Sequence, residues 1–304
     1  MAVSRRIPAD RGLTARMFLT GFLLVALYAL VGGVLYAVGA SIAIVLIVPL
    51  GLAFAQYWFS DKIALFGMGG HVVSPEQEPE LHGVVDRLCA LADMKKPRVA
   101  VAEVDMPNAF ATGRNPNNAV ICATRGIMRR LDEPELEAVL AHELSHVAHR
   151  DVAVMTIASF LGLVAGLVTR VLFYTGLFGG FGDDRSGENT ALIELGVLLA
   201  SLIVYAISFL LTMALSRYRE LAADRSGAIL IGRPSLLASA LVKVTGEMSR
   251  IPRRDLRAAE SFNAFYFTPA FSKGASLSSL FSTHPTLERR LAQLSQLEAE
   301  MNQA

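Results

Sequence analysis

The stretch that decides the fold is residues 132–151, which read D-E-P-E-L-E-A-V-L-A-H-E-L-S-H-V-A-H-R-D. Asp132 is a favoured N-cap residue and Pro134 fits the first helical turn, so we expect a helix to begin here and to end at about His149. The pattern H-E-x-x-H occupies positions 142–146 of this helix. Its two histidines therefore lie on one face of the helix, one turn apart.

Two imidazoles at that spacing can bind one metal ion, which makes His142 and His146 candidate Zn²⁺ ligands. Glu143 lies one position round the helix, close enough to act on a metal-bound water without binding the metal itself. The alternative is a solvated polar face, or a pair of histidines with ordinary hydrogen-bond partners. The apolar remainder of the helix and its clear start signals favour the metal site.

A catalytic zinc site usually has three protein ligands and one water. Glu220 is the candidate third ligand, and Asp224, on the same helical face, is placed to orient a zinc-bound histidine. A salt-bridged surface shared with Arg217 and Arg219 is the alternative for these carboxylates. The chain enters an apolar segment directly after the first helix and returns from another directly before Glu220, so the two helices should lie side by side.

The chain of 304 residues is 53% hydrophobic and only 18% charged. Its apolar residues are concentrated in long runs, and a membrane-spanning helix needs about 20 of them. We therefore predict four spans in two hairpins. The spans are Met17–Val38 and Ser41–Phe59, then Val152–Phe178 and Ala191–Leu215.

Each hairpin has an alternative interpretation. A basic tail before an apolar run is also typical of a signal peptide, but this run is much longer than the apolar core of a signal peptide. The second hairpin contains Arg170 and, near the start of its second span, Glu194. Since charges inside a bilayer are costly, a buried hairpin of a soluble domain is the alternative there.

Basic residues set the orientation of the spans. Four arginines precede residue 17, and the segments after both hairpins are also basic, so the positive-inside rule places both termini and both polar segments in the cytoplasm. The predicted regions are an N-terminal tail (1–16), the first hairpin (17–59), the first part of a catalytic domain (60–150), the second hairpin (151–215) and the second part of that domain (216–304).

The polar segments contain helix and strand patterns that surround a predicted β-hairpin. The predicted elements are a helix at Pro75–Met94, a strand at Arg98–Ala102, hairpin strands at Asn108–Thr112 and Ala119–Ala123, helices ending at Ile231 and about Arg250, an irregular segment at Ile251–Thr283, and a last helix beginning near His284. The edge of the hairpin can pair with the main chain of an extended polypeptide, and the alternative is a purely structural sheet. The candidate substrate-binding residues are Asn108, Ala109, Phe110, Ala119, Val120 and Ile121.

The composition limits the other functions that need considering. Of the two cysteines, Cys89 and Cys122, two reduced buried thiols are favoured over one disulfide. No basic run with interleaved aromatic residues is present, so we expect no nucleic acid partner. A transporter with a regulatory metal would need ionisable residues facing one another inside the spans. A catalytically silent zinc-binding scaffold would be expected to lack Glu143.

Several blocks in order along the chain resemble the HtpX-type membrane metalloproteases, whose more distant relatives are the CAAX prenyl proteases. The blocks are N-A-F-A-T-G at 108–113, L-A-H-E-L-S-H at 140–146, R-E-L-A-A-D at 219–224, A-E-S-F-N-A at 259–264 and S-T-H-P at 282–285. The resemblance implies a zinc endopeptidase of the bacterial inner membrane, with a role in membrane-protein quality control and stress response. Its partners would be polypeptide substrates, mainly membrane proteins, and the lipid bilayer.

The resemblance also implies roles for particular residues. His142, His146 and Glu220 would bind one Zn²⁺ per subunit, and Asp224 would support a zinc-bound histidine. His284 would enter the site and stabilise the transition state, although a structural role at the start of the last helix is its alternative. The expected mechanism is metal-assisted peptide hydrolysis with Glu143 as general base.

The expected fold class is α+β and mostly helical. It is a polytopic membrane protein with a zincin-like (gluzincin) catalytic domain in the cytoplasm and a small edge β-sheet.

Overall fold

The computed structural model describes residues 42–160, 187–250 and 283–303, together with 15, 18–23, 25–27, 162 and 166. Its helices are α1 (Ile42–Trp58), α2 (Ser60–Met68), α3 (Pro79–Ala92), α4 (Arg125–Arg130), α5 (Glu133–Ala148), α6 (Asp151–Phe160), α7 (Gly187–Ile231), α8 (Pro234–Arg250) and α9 (Leu287–Gln303). Its strands are β1 (Gly70–Val72), β2 (Arg98–Ala102), β3 (Ala109–Thr112) and β4 (Val120–Thr124).

Helix α5 carries the H-E-x-x-H pattern and begins where the sequence predicts. Asp132 accepts a hydrogen bond from the main-chain N–H of Glu135 (3.0 Å), and the Glu135 carboxylate accepts one from the N–H of Asp132 (3.2 Å). This capping box satisfies two of the N–H groups that a helix start leaves unpaired. Glu135 also accepts hydrogen bonds from Ser239 (2.7 Å) and Lys243 (2.6 Å), which fixes α5 against α8.

The four strands form one sheet in the order β1-β2-β4-β3, in which β2 and β4 are parallel and the outer pairs are antiparallel. The predicted β-hairpin is present, and its turn includes a short 3-10 helix at Pro116–Asn118. Strand β4 lies between β2 and β3, so its main chain is paired on both sides. Of the two hairpin strands, β3 alone therefore has a free edge, that is, an outer edge with which no other strand pairs among the residues that the structure describes.

Helix α7 runs unbroken over 45 residues and ends at Gly232, whose φ of 72° is in the left-handed region. At 1.5 Å per residue it is about 68 Å long, roughly twice the hydrocarbon thickness of a bilayer. The prediction that residues 217–231 continue the helix of the preceding apolar segment and end at Ile231 is thus confirmed. Within the part of the chain that the structure describes, Leu202–Ile231 is the helix that is long and apolar enough to cross a membrane.

Helices α5 and α7 approach each other closely at the H-E-x-x-H pattern. A Cβ atom added at Gly227 of α7 would lie 2.7 Å from the main-chain nitrogen of His142 and 2.9 Å from its Cα. Side-chain Cβ atoms do not tolerate such distances to main-chain atoms. Glycine at this position therefore allows the two helices to bring their polar side chains together.

Some boundaries differ from the prediction. Helix α3 begins at Pro79 rather than Pro75, because a residue before proline avoids helical angles and Glu78 adopts φ −136° and ψ 66°. Helices α2 and α4 and strand β1 were not predicted. Arg170 and the segment 251–282 lie outside the described residues, as does most of the predicted first span. Cys89 and Cys122 are free and buried, so the prediction of two buried thiols is confirmed.

Candidate active site

Three predicted ligands meet between α5 and α7. One ligand atom from each of His142, His146 and Glu220 lies within 4.8 Å of the other two. The Nε2 atoms of the two histidines are 3.2 Å apart. The Glu220 carboxylate lies 3.7 Å from Nε2 of His142 and 3.4 Å from Nε2 of His146. The residues predicted from spacing and chain topology are thus brought to one point.

His142 has a buried carboxylate at its other ring nitrogen. Its Nδ1 lies 2.9 Å from Oδ1 of Asp224, a residue that is completely buried. Arg290 of α9 donates two hydrogen bonds to the same carboxylate, from Nε (2.7 Å) and from Nη2 (2.6 Å). The predicted neighbour Asp224 is therefore in place, whereas its arginine partner was not predicted.

His146 has a second carboxylate in the same position on its ring. Its Nδ1 contacts the side chain of Asp151, the first residue of α6. Arg219 of α7 forms an ion pair with Asp151 and also donates from Nη1 to the main-chain oxygen of that residue (2.8 Å). Neither role was predicted. The useful signal was that Nδ1 of His146 needs a partner and that Asp151 is an acidic residue nearby in the chain.

These contacts settle which nitrogen of each histidine faces the centre. A carboxylate beside Nδ1 favours the proton on that nitrogen, which leaves the Nε2 lone pair for a metal. Burial lowers the pKa of His142 and lowers the pKa of His146 to about 4, so both rings are neutral near pH 7. Neutral imidazole is the form that binds metals. Two such nitrogens and one carboxylate fit a divalent ion such as zinc.

Glu143 lies between this centre and the sheet. It is buried, and its Oε2 accepts a hydrogen bond from the main-chain N–H of Ala111 in β3 (3.0 Å). Burial, together with the negative charge of Glu220, raises the pKa of Glu143 well above its usual value. A carboxyl group in this environment is suited to accept and release a proton.

The free edge of β3 runs past Glu143. The N–H of Thr124 donates to the carbonyl of Asn108 (2.9 Å), so in the antiparallel register residues 108, 110 and 112 direct their main-chain groups toward β4. Ala109 and Ala111 therefore direct theirs toward the free edge.

The six predicted substrate-binding residues consequently separate into two groups. The side chains of Asn108, Ala109 and Phe110 are buried, and of these three residues only Ala109 directs its main-chain groups to the free edge. Val120 and Ile121 are on the inner strand, and the carbonyl of Ala119 accepts a hydrogen bond from the N–H of Arg98 (3.1 Å). These three have no free edge to offer, which corrects the prediction that this strand could supply a sheet edge for substrate.

His284 precedes α9 and contacts the predicted third ligand, Glu220. It is buried, and its Nδ1 lies 2.9 Å from Oε2 of Glu220. The predicted entry of His284 into the site is therefore present as a contact with Glu220.

A cavity of about 510 Å³ adjoins the site, a size in the range of ligand-binding clefts. The cavity extends from the centre along the facing surfaces of α6 and α7. Its walls there carry hydroxyl and thioether groups, from Met155, Thr156, Ser159, Thr212, Met213 and Ser216.

Comparison with known proteins agrees with this geometry. A sequence profile described as Peptidase family M48 matches residues 75–298. The chain is 58% identical over 299 residues to Protease HtpX homolog 1 of Streptomyces coelicolor, covering 98% of this chain and 97% of that relative. It is 54% identical over 299 residues to the Protease HtpX homolog of Moorella thermoacetica, covering 98% and 99% of the two chains.

A solved structure shares the fold. The crystal structure of S. mikatae Ste24p superposes with a TM-score of 0.51 at 19% sequence identity, covering 94% of this chain and 66% of the other. The family match covers well over half of the chain and includes all three predicted ligands. The chain therefore belongs to peptidase family M48 and is a metalloprotease.

Proposed function

We propose that this metalloprotease is a zinc endopeptidase of the bacterial inner membrane that cleaves cytoplasmic segments of unfolded or damaged membrane proteins. The observation that carries the proposal is the convergence of His142, His146 and Glu220 beside Glu143 and the free edge of β3. The site thus combines a metal-ligand set, a candidate base and a surface for an extended chain.

His142, His146 and Glu220 would hold one Zn²⁺ ion. Bound zinc acts as a Lewis acid toward the scissile carbonyl and lowers the pKa of water to about 7. Asp224 orients His142, since its carboxylate lies 2.9 Å from Nδ1 of that ring. This contact keeps the Nε2 lone pair of His142 directed at the centre.

Glu143 serves as general base. Its carboxylate is one residue from the first ligand and contacts the edge strand, so it lies where the scissile peptide of a β3-bound substrate would be. The Glu143 carboxylate accepts the proton of the attacking water, and the same carboxyl group then donates it to the leaving amine. His284 is proposed to stabilise the charge that develops on the scissile carbonyl oxygen, supported by its burial beside Glu220.

Substrate recognition is proposed to be mainly main-chain pairing. Ala109 and the carbonyl of Ala111 offer backbone groups at the free edge, since the N–H of Ala111 is bonded to Glu143, whereas Asn108 and Phe110 pack into the domain behind it. Strand addition of this kind places little demand on the substrate sequence. A protease that acts on exposed unfolded segments needs such tolerance.

The membrane location is supported by the surfaces of α1 and α7. Large apolar side chains there are exposed in the folded chain, including Leu50 (59%) and Phe54 (58%) on α1 and Ile203 (58%) on α7. Many exposed large apolar side chains on one helix indicate a partner or a bilayer. We propose four spans with both termini and the active site in the cytoplasm, from the apolar runs and the basic flanking segments.

The test is hydrolysis of casein by the detergent-purified chain with added Zn²⁺, compared with Glu143→Ala and with the zinc content of both proteins. We expect the wild type to cleave, and the variant to keep its zinc and to be inactive. If both bind zinc and neither cleaves, the chain is a catalytically silent scaffold under these conditions and the proposal fails. Absence of zinc from both proteins would refute the metal site.

A further inference from the structure

We infer that Asp151 and Arg219 are positioning residues that fix the imidazole of His146 for metal binding. The inference rests on the metal site proposed above. It concerns the ligand histidine whose carboxylate partner was not predicted, and it assigns a role to two buried charged residues.

The contacts define a relay of three side chains. The Asp151 carboxylate contacts Nδ1 of His146 on one side and the Arg219 guanidinium on the other. Arg219 also donates from Nη1 to the main-chain oxygen of Asp151 (2.8 Å). Asp151 is 6% exposed and Arg219 4%. A buried arginine that binds both the backbone and the side chain of one residue leaves that carboxylate a single orientation.

The backbone between α5 and α6 is shaped for this contact. Asp151 follows His146 by five residues and would point about 140° away from it in a continuous helix. Arg150 instead adopts φ 55°, one of two non-glycine residues with positive φ in the described part of the chain. Left-handed backbone at a residue with a side chain is costly and persists where the surrounding structure requires it. Here it turns the chain so that Asp151 returns to His146.

The relay of His146, Asp151 and Arg219 also connects the metal site to the second hairpin. Arg219 precedes the ligand Glu220 in α7, so one turn of helix provides both a ligand and the support of another ligand. Farther along, Thr212 of α7 donates to the carbonyl of Ala158 in α6 (3.1 Å). The packing of α6 on α7 is thereby coupled to the orientation of His146. A carboxylate hydrogen-bonded to a metal-binding histidine also raises its strength as a ligand.

The test is zinc affinity, measured by competition with a chromophoric chelator on detergent-purified full-length variants. We expect Asp151→Asn to lower the affinity by about 10- to 100-fold, the range found for such supporting groups. Arg219→Met should lower it less. The double variant should lose no more than Asp151→Asn alone, because Arg219 acts through Asp151. The Co²⁺ absorption spectrum should change in the same variants.

Two further proteins separate positioning from simple charge or folding. Asp151→Glu keeps the charge but moves the carboxylate, so a positioning role predicts weaker zinc binding with an unchanged melting temperature of the metal-free protein. Arg225→Lys is the matched control, since Arg225 also lies on α7 but pairs with Glu300 near the surface (3.6 Å). This variant should bind zinc as the wild type does.

The inference is overturned if Asp151→Asn or Asp151→Glu binds zinc like the wild type, or if the losses of the single variants add in the double variant. If the wild type itself binds no zinc, the proposed function fails instead. The two failures are therefore distinguishable.

Discussion

The two halves of α7 differ in which kinds of residue they expose and which they bury. In the first half, Leu199, Leu202 and Ile203 are more than half exposed. In the second half, Arg219, Glu220 and Asp224 are buried. If water were the only solvent, apolar side chains would be favoured inside and charged side chains outside in both halves. The difference supports the proposed topology, in which a bilayer would surround the first half of the helix, whereas a protein interior that holds the candidate metal ligands surrounds the second half.

The largest expected effect comes from removing a buried charge in the second half. Asp224→Ala removes the carboxylate that forms a buried ion pair with Arg290 and that lies beside Nδ1 of His142. Breaking a buried ion pair costs about 3–5 kcal/mol of unfolding free energy. The melting temperature and the zinc content of the variant should both fall. Wild-type stability in this variant would show that the buried pair is not needed.

The converse change adds a charge to the first half. Ile203 is 58% exposed, and Lys in its place should cost about 2.5–3.5 kcal/mol if that surface faces the centre of a bilayer. We expect Ile203→Lys to reduce the fraction of protein that is recovered in membranes. If the surface faces water, the variant should integrate and accumulate as the wild type does, and the two-surroundings account would be wrong.

The same substitution, glycine to alanine, can be made once in each half of α7, so that the halves can be compared. Gly227 faces the main chain of His142, whereas a Cβ at Gly196 would have no atom within 4 Å. Gly227→Ala should therefore push α5 from α7, at a cost of about 1–3 kcal/mol, and lower casein hydrolysis. Gly196→Ala should leave casein hydrolysis unchanged, and should leave the stability unchanged or raise it slightly. Equal effects of the two substitutions would contradict the close helix approach at the site.

The smallest effect concerns the thiols of the domain core. Burial raises the pKa of Cys89 to about 11 and that of Cys122 to about 12. A raised pKa leaves little thiolate at pH 8, and the thiolate is the reactive form. N-ethylmaleimide should therefore modify neither residue in the native protein and both after denaturation. Rapid native modification, or no free thiol after denaturation, would contradict the packing of the sheet against α3.

Features that depend on local chemistry could be predicted from the sequence. The start of α5 follows from Asp132 and Glu135, whose capping pattern is visible in the chain. Its two histidines follow from helical spacing. Glu220 could be proposed as well, because the second hairpin returns the chain beside α5.

Features that depend on tertiary contacts could not be predicted in the same way. In the sequence, Asp151 is simply the residue before a predicted span. The left-handed backbone at Arg150, which redirects Asp151, could not be predicted because the residue there is not a glycine. Arg290 is one of several charged residues on α9, and nothing in that helix indicates that its partner is Asp224. The inner position of β4 follows from its parallel pairing with β2, which the hairpin pattern does not contain.

The most direct test of the account is the zinc K-edge X-ray absorption of the detergent-purified chain loaded with one equivalent of Zn²⁺. Two histidines and a carboxylate predict nitrogen and oxygen ligands at about 2.0–2.2 Å, with imidazole scattering, and loss of bound zinc in Glu220→Gln. A sulfur ligand at about 2.3 Å, or full zinc binding by Glu220→Gln, would contradict a site made of His142, His146 and Glu220.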